Sequence, residues 1–221
     1  MELRKKSLLI ALTLGSGSLK DKTSKSNKSI ILEVQHNGKR LEYLKWKADL
    51  CRKATGTLCN IKSKTYSGEI TNDAKLKDAC AYKFVSGHRY FNVLKKWLYP
   101  NNKKRLQKKY LKYLDLLGVA IWYMDNGTTY INENKHYCKF QGSCEFNLYT
   151  YKDEATEVME YFKETWNLNF YLHKCKNNQY KIRCYNEEAV KFINMIKPFV
   201  PECMDYKVKI PEKYVHERLA S

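Results

Sequence analysis

The sequence predicts an α+β fold built from two similar halves, each with the element order αββαββα and a four-stranded antiparallel sheet. Two apolar stretches of helical length, at 8–17 and 116–127, each end in a break of glycine and polar residues. The segment 91–100 is also similar to 192–201, with matching phenylalanine, lysine and proline at an offset of 101 residues. Helices on one face of each sheet would leave the other face free. Two such sheets related by a pseudo-two-fold axis would therefore form a long saddle.

The N-terminal half, residues 1–100, contains the elements of one repeat, which we predict from apolar periodicity and turn residues. Asn37-Gly38 indicates a turn after a strand, and Gly56 indicates the end of a helix. The predicted elements are, in order, an apolar helix at 3–14, a polar loop or strand rim at 16–27, a strand at 29–36, a helix at 39–54, strands at 57–65 and 79–85, and a helix ending at Pro100.

The C-terminal half, residues 114–221, repeats that order after a basic linker at 101–113. The linker leads directly into the second apolar stretch. The predicted elements are, in order, the apolar helix at 116–127, strands at 128–132 and 143–151, a helix at 153–166, strands at 168–174 and 179–185, and a helix at 187–197. The chain therefore divides into two repeats joined by the linker.

The two apolar helices carry the prediction about the site. A helix that is apolar on every side must be buried on every side. Gly118 and Ala120 lack bulk, which lets another backbone come close. We therefore expect the two helices to pack against each other at the junction of the halves. The polar break would place Asp125 and Asn126 at the edge of that junction.

The charge points to a polyanionic partner. Forty-one Lys and Arg stand against 23 Asp and Glu, a net charge of +18. Nucleic acid is the first candidate and an anionic membrane surface the second, while a lysine-rich proteome bias is the alternative that needs no partner. No apolar stretch reaches the ~20 residues that span a bilayer, and no signal peptide is evident. We expect a soluble, intracellular protein.

The eight cysteines do not predict a metal site or a disulfide framework. None forms Cys-x-x-Cys. Two pairs could act as ligands, His136 with Cys138 and His173 with Cys175, but each pair alternates as strand residues do. A structural zinc site is therefore disfavoured, and we expect the thiols to be reduced.

Several segments together resemble a known family. They are the two apolar stretches, Glu33-Val34-Gln35 ahead of Glu42-Tyr43-Leu44, the Asn101-Asn102-Lys103-Lys104 segment, Trp122-Tyr123-Met124-Asp125, and Ile196-Lys197-Pro198 leading to Met204-Asp205-Tyr206-Lys207. The chain is similar over nearly its whole length to single-chain LAGLIDADG homing endonucleases, and most so to the I-SceI-like subset. One signature helix would be weak evidence, but two at domain spacing, each followed by a proline-lysine segment, are specific.

The resemblance implies a DNA-cleaving site at the junction. In the family each signature helix ends in an acidic residue, and the two carboxylates hold divalent metal, usually Mg²⁺, between the scissile phosphates. Lys104 and Lys207 match the positions of assisting lysines. The sheets would read a long asymmetric site through alternate side chains. The side chains that we expect at the nucleic acid are Lys20, Lys22, Lys25, Lys28, Gln35, Lys62, Lys64, Lys103, Arg105, Lys139, Asn147, Tyr149, Lys174, Lys181 and Arg183.

The chain departs from the family at the metal ligands themselves. The carboxylate positions fall on Ser16 and Asn126, which are neutral ligands and would leave a hard dication without two formal charges. Asp125 is acidic but one position early, so about 100° of helical rotation turns it away from the junction. We interpret Asp125 as a helix-end or backbone partner, with a ligand role as the alternative. Binding of Mg²⁺ is therefore doubtful.

Three explanations of this departure remain open. The protein lost cleavage and kept binding, as LAGLIDADG maturases do when they assist splicing of a group I intron; or it is an endonuclease altered to trap an uncut complex; or Asp125 and another acid still act. We favour an intron-encoded maturase that works as a monomer in the cytoplasm or organelle matrix of the intron host. Tyrosines and tryptophans within basic runs, such as Lys45-Trp46-Lys47, would offer stacking faces to RNA.

Overall fold

The computed structural model describes residues 2–23, 28–64, 81–132 and 141–210, which form two four-stranded antiparallel sheets with helices on one face of each. The first sheet has the strand order β1-β2-β4-β3 and the second β5-β6-β8-β7. The elements of the first half are α1 (Leu3–Leu14), β1 (Gly17–Thr23), β2 (Lys28–Asn37), α2 (Leu41–Thr55), β3 (Lys62–Lys64), β4 (Ala81–Gly87) and α3 (Tyr90–Leu98).

The second half repeats the order of the first. A short helix, α4 (Lys108–Leu111), lies in the connecting segment before it. The repeated elements are α5 (Leu116–Asn126), β5 (Gly127–Asn132), β6 (Gln141–Thr150), α6 (Lys152–Trp166), β7 (Tyr171–Lys174), β8 (Tyr180–Tyr185) and α7 (Asn186–Ile196). The predicted α+β class and the duplicated αββαββα order are confirmed.

The strand registers of the two halves correspond. Gly17 pairs with Val34 in the first sheet, and Gly127 pairs with Phe146 in the second. Both pairs stand at the start of the strand that follows a signature helix. Alternation along each strand then fixes which side chains face the helices and which face outward.

Three element boundaries differ from the predictions. Residues 17–23 form a strand where we expected a loop or a strand rim. Of the strand predicted at 57–65, the described residues form only Lys62–Lys64, because Gly56 ends α2 with a left-handed φ of 70° and the chain then runs irregularly to residue 61. The strand predicted from 168 begins only at Tyr171, although Leu168 and Phe170 are buried in the core. The remaining predicted helices and strands occur within a few residues of their predicted ends.

The signature helices α1 and α5 pack together at the centre of the molecule. Leu9 to Leu12 on α1 and Ala120 to Met124 on α5 are buried. Ser7, inside α1, contacts the N-terminal end of α5, since Ser7 Oγ donates to Asp115 Oδ1 at 2.6 Å. A Cβ at Gly118 would clash with Ser7 Oγ. The expected close approach at Gly118 is therefore confirmed.

The connecting segment is fastened to α6. The buried Glu154 carboxylate forms an ion pair with Arg105 and accepts a hydrogen bond from the Leu106 backbone N–H at 2.9 Å. Thr150 Oγ1 donates to the same carboxylate at 2.5 Å. No helix in the described part of the chain is long and apolar enough to cross a membrane.

Candidate nucleic-acid interface

The ends of α1 and α5 meet at the junction of the two halves. Ser16 lies two residues beyond the end of α1, and Asp125 and Asn126 are the last two residues of α5. A Cβ at Gly15 would overlap the carboxyl group of Asp125, so a glycine is needed where the two helix ends approach. The junction therefore brings together the positions that the sequence singled out.

Asp125 turns into the first half and is held there by several donors. Its Oδ2 accepts from the backbone N–H of Ser16 at 2.8 Å. The ammonium of Lys47, on α2, lies 3.0 Å from Oδ1 and 2.9 Å from Oδ2. The side chains of Lys47 and Asp125 are 0% and 1% exposed. Asp125 therefore has the ion-pair and backbone partners of the favoured interpretation, but the expectation that rotation turns it away from the junction is wrong, because its carboxylate reaches across to Ser16 and Lys47.

His36 and Ser16 complete this polar cluster. Lys47 donates to Ser16 Oγ at 2.7 Å, and Ser16 Oγ lies 3.1 Å from His36 Nε2. Burial lowers the pKa of His36 to about 3, with the charge of Lys47 adding to the shift. His36 is therefore neutral near pH 7, and its 3.5 Å contact with Asp125 is not an ion pair at that pH.

The charges in the cluster balance each other. Burial raises the pKa of Asp125, but the charge of Lys47 and the hydrogen bonds from Ser16 and Lys47 lower it by more, so the net direction is downward. Burial lowers the pKa of Lys47, and Asp125 opposes that shift. Either charge alone would be costly in this interior. We therefore regard the two side chains as an ion pair at neutral pH.

Asn126 points elsewhere. Its Oδ1 is buried and has no hydrogen-bond partner among the described residues. It lines a cavity of about 280 Å³ together with Gly15, Lys104, Trp122 and Glu154. Asn126 and Ser16 thus differ in surroundings, because one faces the cavity while the other is bonded to Lys47.

Lys104 and Lys207 occupy corresponding places at the two helix ends. Lys104 Nζ donates to the carbonyls of Leu14 at 3.1 Å and Gly17 at 3.3 Å. Lys207 Nζ donates to the carbonyl of Gly127 at 2.5 Å. Burial lowers the pKa of Lys104 to about 8 and, less strongly, lowers that of Lys207. The two predicted lysines therefore lie on either side of the junction, each beside the glycine that follows a signature helix.

The donors at the junction do not fit a divalent metal ion. A hard dication prefers carboxylate oxygens. Both oxygens of Asp125 are engaged by Lys47 and Ser16, and Ser16 and Asn126 supply only neutral oxygens. No group of three or more acidic, histidine or cysteine side chains in the described ranges could hold a metal ion. His173 and Cys175 are described and belong to no such group, whereas His136 and Cys138 lie outside the described residues.

The outward faces of the sheets collect many of the predicted contact residues. Alternation along the strands places seven of the predicted residues on or at the edge of an outward face. They are Lys20, Lys22, Gln35 and Lys62 on the first sheet, and Asn147, Lys181 and Arg183 on the second. Tyr149 is 55% exposed, with a φ of 48° beside a register shift in β6. Lys103 is exposed on the connecting segment.

Other predicted contact residues are placed differently or are not described. By the alternation of β7, Lys174 lies on the side of the sheet that faces the helices. Arg105 forms an ion pair with Glu154. Neither residue therefore belongs to an outward face. Lys25 and Lys139 lie outside the described residues, as do the side chains of Lys28 and Lys64.

Each outward face has a glutamate at its centre. Glu33 on β2 forms ion pairs with Lys20 and, at 2.7 Å, with Lys83. Glu145 on β6 forms ion pairs with Lys181 at 2.8 Å and Arg183 at 2.5 Å. Register makes the two glutamates equivalent, since Ser18 pairs with Glu33 and Thr128 pairs with Glu145. The basic side chains of both sheets are thus anchored by an acid at the same position.

Four of these residues were not predicted from the sequence. We expected the Lys45-Trp46-Lys47 run to lie beside RNA, and for Lys47 this is wrong because its side chain is fully buried. A signal was present: Lys47 stands four residues from both Tyr43 and Cys51, on the buried face of α2. His36 continues the inward alternation of Leu32 and Val34. Glu33 and Glu145 carried no signal, because their equivalence depends on strand register.

Comparison with known proteins identifies relatives of this arrangement. The model of the LAGLIDADG DNA endonuclease family matches residues 6–192. Among curated proteins, Protein RecA of Mycobacterium gastri is 24% identical over 208 residues, which are 91% of this chain and 46% of that protein. Cytochrome b mRNA maturase bI2 of Debaryomyces hansenii is 24% identical over 151 residues, 68% of this chain and 54% of that protein. The chain thus spans about half the length of the curated relatives it matches.

Among solved structures, the homing endonuclease I-WcaI bound to its DNA recognition sequence superposes with a TM-score of 0.72. It is 20% identical, and the match covers 95% of this chain and 88% of that one. At this identity the likeness shows the fold, with two sheets and paired central helices.

Proposed function

The chain belongs to the LAGLIDADG DNA endonuclease family, and from that premise we propose that it is a nucleic-acid-binding member that no longer cleaves and that assists splicing of a group I intron RNA. This is the activity of a maturase. The proposed division is one repeat at 1–100, a linker at 101–113 and a second repeat at 114–221. The proposed partner is the intron RNA, bound by a monomer in the compartment of the intron host.

One observation carries the loss of cleavage. The carboxylate of Asp125 is turned into the first half, where Lys47 and the Ser16 N–H use both of its oxygens. The positions that would supply metal-binding carboxylates carry Ser16 and Asn126 instead. Endonucleases of this family use divalent metals, and removing two negative ligands removes the charge that holds such a metal between phosphates.

Two further observations support binding of RNA. The net charge of +18 favours a polyanion, and lysines and arginines of both sheets lie on the outward faces. A curated relative over 68% of the chain is a cytochrome b mRNA maturase. A chain that lacks the metal ligands but keeps the basic faces would still bind nucleic acid, and its function would then depend on binding alone.

The alternative is a site-specific, Mg²⁺-dependent double-strand DNA endonuclease, natural or captured as an inactivated variant. Family membership favours it, and the structural relative I-WcaI is bound to its DNA recognition sequence. In this case Lys104 and Lys207 would assist the chemistry, and the outward side chains would read the DNA. The neutral residues Ser16 and Asn126 at the metal-ligand positions count against this alternative.

Two assays separate the candidates. The maturase proposal predicts salt-sensitive binding of the intron RNA and faster splicing at a fixed Mg²⁺ concentration; equal splicing with and without the protein overturns it. The endonuclease alternative predicts Mg²⁺-dependent cutting of the intron-less DNA target by the unaltered chain. Ser16→Asp combined with Asn126→Asp tests the cause of any loss. Cutting by this double variant alone locates the lesion at the metal ligands.

A further inference from the structure

The outward face of the second sheet carries an aromatic cluster that has no counterpart among the described strand residues of the first sheet. Tyr130, Tyr171 and Tyr185 are 47%, 58% and 43% exposed. Tyr130 and Tyr185 both pair in register with Ser143, and Tyr171 pairs with Arg183, so all three share the face of Glu145. The rings of Tyr171 and Tyr185 are 6.1 Å apart between centroids. We call these three residues the tyrosine face.

The first sheet has different chemistry at corresponding positions. Because Gly17–Val34 and Gly127–Phe146 are equivalent pairs, Tyr130 corresponds to Lys20. Ile31 pairs with Gly87 just as Ser143 pairs with Tyr185, so Tyr185 corresponds to Gly87. One sheet therefore presents a lysine and a glycine where the other presents two tyrosine rings. The two faces have diverged within one duplicated fold.

The tyrosine face also contains cations held in fixed positions. The guanidinium of Arg183 lies 5.4 Å from the ring centroid of Tyr130 and is bonded to Glu145. Lys181 is bonded to the same carboxylate. The hydroxyl of Tyr130 donates to Glu145 at 2.9 Å. Ring faces and basic side chains are thus presented side by side on a rigid sheet.

We infer that the tyrosine face is a stacking site for unpaired nucleobases, with Lys181 and Arg183 beside the phosphates of the same strand. A base inside a duplex exposes only its edge in a groove, whereas an unpaired base exposes the face of its ring to an aromatic side chain. Aromatic rings on a sheet bind such bases with little regard to sequence. The inference deepens the proposed function, on which it rests, by naming a single-stranded segment of RNA as the ligand of this sheet.

The test is binding of fluorescently labelled octamers, measured by anisotropy at low salt with the full chain. The probes are an adenosine RNA octamer, the same sequence as DNA, and an RNA duplex of equal length. Tyr171→Ala and Tyr185→Ala should each weaken binding of the RNA octamer about 10-fold, which corresponds to about 1.4 kcal/mol. Tyr171→Phe and Tyr185→Phe keep the rings and should bind as the parent does.

The matched control is Tyr151→Ala, which removes an exposed tyrosine outside the sheets and should leave octamer binding unchanged. Thermal unfolding verifies that each variant is folded. The stacking site would be overturned if the alanine variants lost as much affinity for the duplex as for the octamer. It would also be overturned if the phenylalanine variants lost as much octamer affinity as the alanine variants, or if the parent failed to bind the octamer. If the DNA octamer binds as tightly as the RNA octamer, RNA is overturned as the specific ligand, while stacking of unpaired bases on the tyrosine face still stands.

Splicing separates this inference from the proposed function. If the parent accelerates splicing and the alanine variants bind octamers normally, the tyrosine face is wrong while the maturase proposal stands. If the octamers bind through the tyrosines but splicing is unaffected by the protein, the maturase proposal is wrong while the stacking site stands.

Discussion

Lys47 and Asp125 form a buried ion pair between the two halves of the fold, with Nζ 3.0 Å from Oδ1 and 2.9 Å from Oδ2. Lys47 belongs to α2 of the first half and Asp125 to α5 of the second. The same carboxylate accepts the N–H of Ser16 at the end of α1. This pair therefore ties the end of α5 to the first half, and it does so through the acid that immediately precedes Asn126.

The ion pair predicts a large cost for removing one partner. Lys47→Met would leave the Asp125 carboxylate buried without its cation, and we expect a loss of about 3–5 kcal/mol in the free energy of unfolding. Lys47→Met with Asp125→Leu should recover much of that loss, because no charge is then left unpaired. Urea unfolding measures both. Lys45→Met, on the exposed side of α2, is the control. A Lys47→Met variant as stable as the control would show that the pair is not needed.

The signature helices were the most predictable part of the structure. A long run of apolar residues allows only a buried helix, and α1 has the predicted bounds of 3–14. β1 was missed because it is an edge strand in which Leu19 is buried while Lys20 and Lys22 are exposed, so its alternation is weak. The position of Asp125 did not follow from one residue of helical rotation, since its carboxylate reaches across the junction to Ser16 and Lys47.

The contacts of the site were less predictable because they join distant parts of the chain. Lys47 and Asp125 are 78 residues apart, and the sequence contains no pattern that pairs them. The equivalence of Glu33 and Glu145 depends on strand register. The sequence does not show that register, because the two halves differ in the length of the segment that joins their first two strands. Lys104 and Lys207 were identified only through the family resemblance, which matches them to the positions of its assisting lysines.

The donor set at the junction predicts no stabilisation by divalent metal. Addition of about 10 mM Mg²⁺ or Ca²⁺ should leave the melting temperature of the chain unchanged, since only a metal bound to the folded state raises it. The Ser16→Asp, Asn126→Asp variant should show a rise in melting temperature that EDTA reverses. An EDTA-sensitive rise in the unaltered chain would contradict the assignment of Ser16 and Asn126 as neutral, non-binding positions.

Burial of His36 predicts a loss of stability in mild acid. Its pKa is about 3 in the fold, against an ordinary value of 6.5. The unfolded state therefore takes up a proton below pH 6.5 that the folded state does not, so stability falls as pH decreases from 6.5 towards 3. Between pH 7 and pH 5 we expect His36 to account for a loss of about 1–2 kcal/mol.

Matched histidine variants measure this loss. Unfolding of His36→Asn at pH 7 and pH 5 should show a smaller acid effect than unfolding of the unaltered chain. His173→Asn removes an exposed histidine and should leave the acid effect as it was. An equal pH dependence in the two variants would rule out His36 as the cause.

The lowered pKa of Lys104 predicts a change in nucleic-acid binding above neutral pH. Its ammonium has a pKa of about 8 because it is buried. If a phosphate binds only the charged form, raising the pH from 7 to 9 should weaken binding about 10-fold through this group. Lys104→Arg keeps its charge and should lose this dependence. Lys103→Ala, which removes the neighbouring exposed charge, should retain it.

The equivalent glutamates predict a gain in non-specific binding when either is neutralised. Glu33 holds Lys20 and Lys83, and Glu145 holds Lys181 and Arg183. Those ion pairs compete with phosphates for the cations and fix the basic side chains in place. Glu33→Gln or Glu145→Gln should release both cations of its sheet. Affinity for random-sequence duplex should then rise, while the ratio of specific to non-specific affinity falls.

The salt dependence distinguishes released cations from a simple change of net charge. Each cation that gains a phosphate contact steepens the slope of log K against log salt by about 0.7–0.9, so either variant should steepen it by up to about 1.8. Glu160→Gln changes the net charge equally on an exposed position of α6, away from the outward faces, and should leave the slope unchanged. If Glu160→Gln steepens the slope as much as the sheet variants do, the glutamates act only through net charge. If Glu33→Gln or Glu145→Gln weakens random-sequence binding, the cations depend on the carboxylate for their position and are not held back by it.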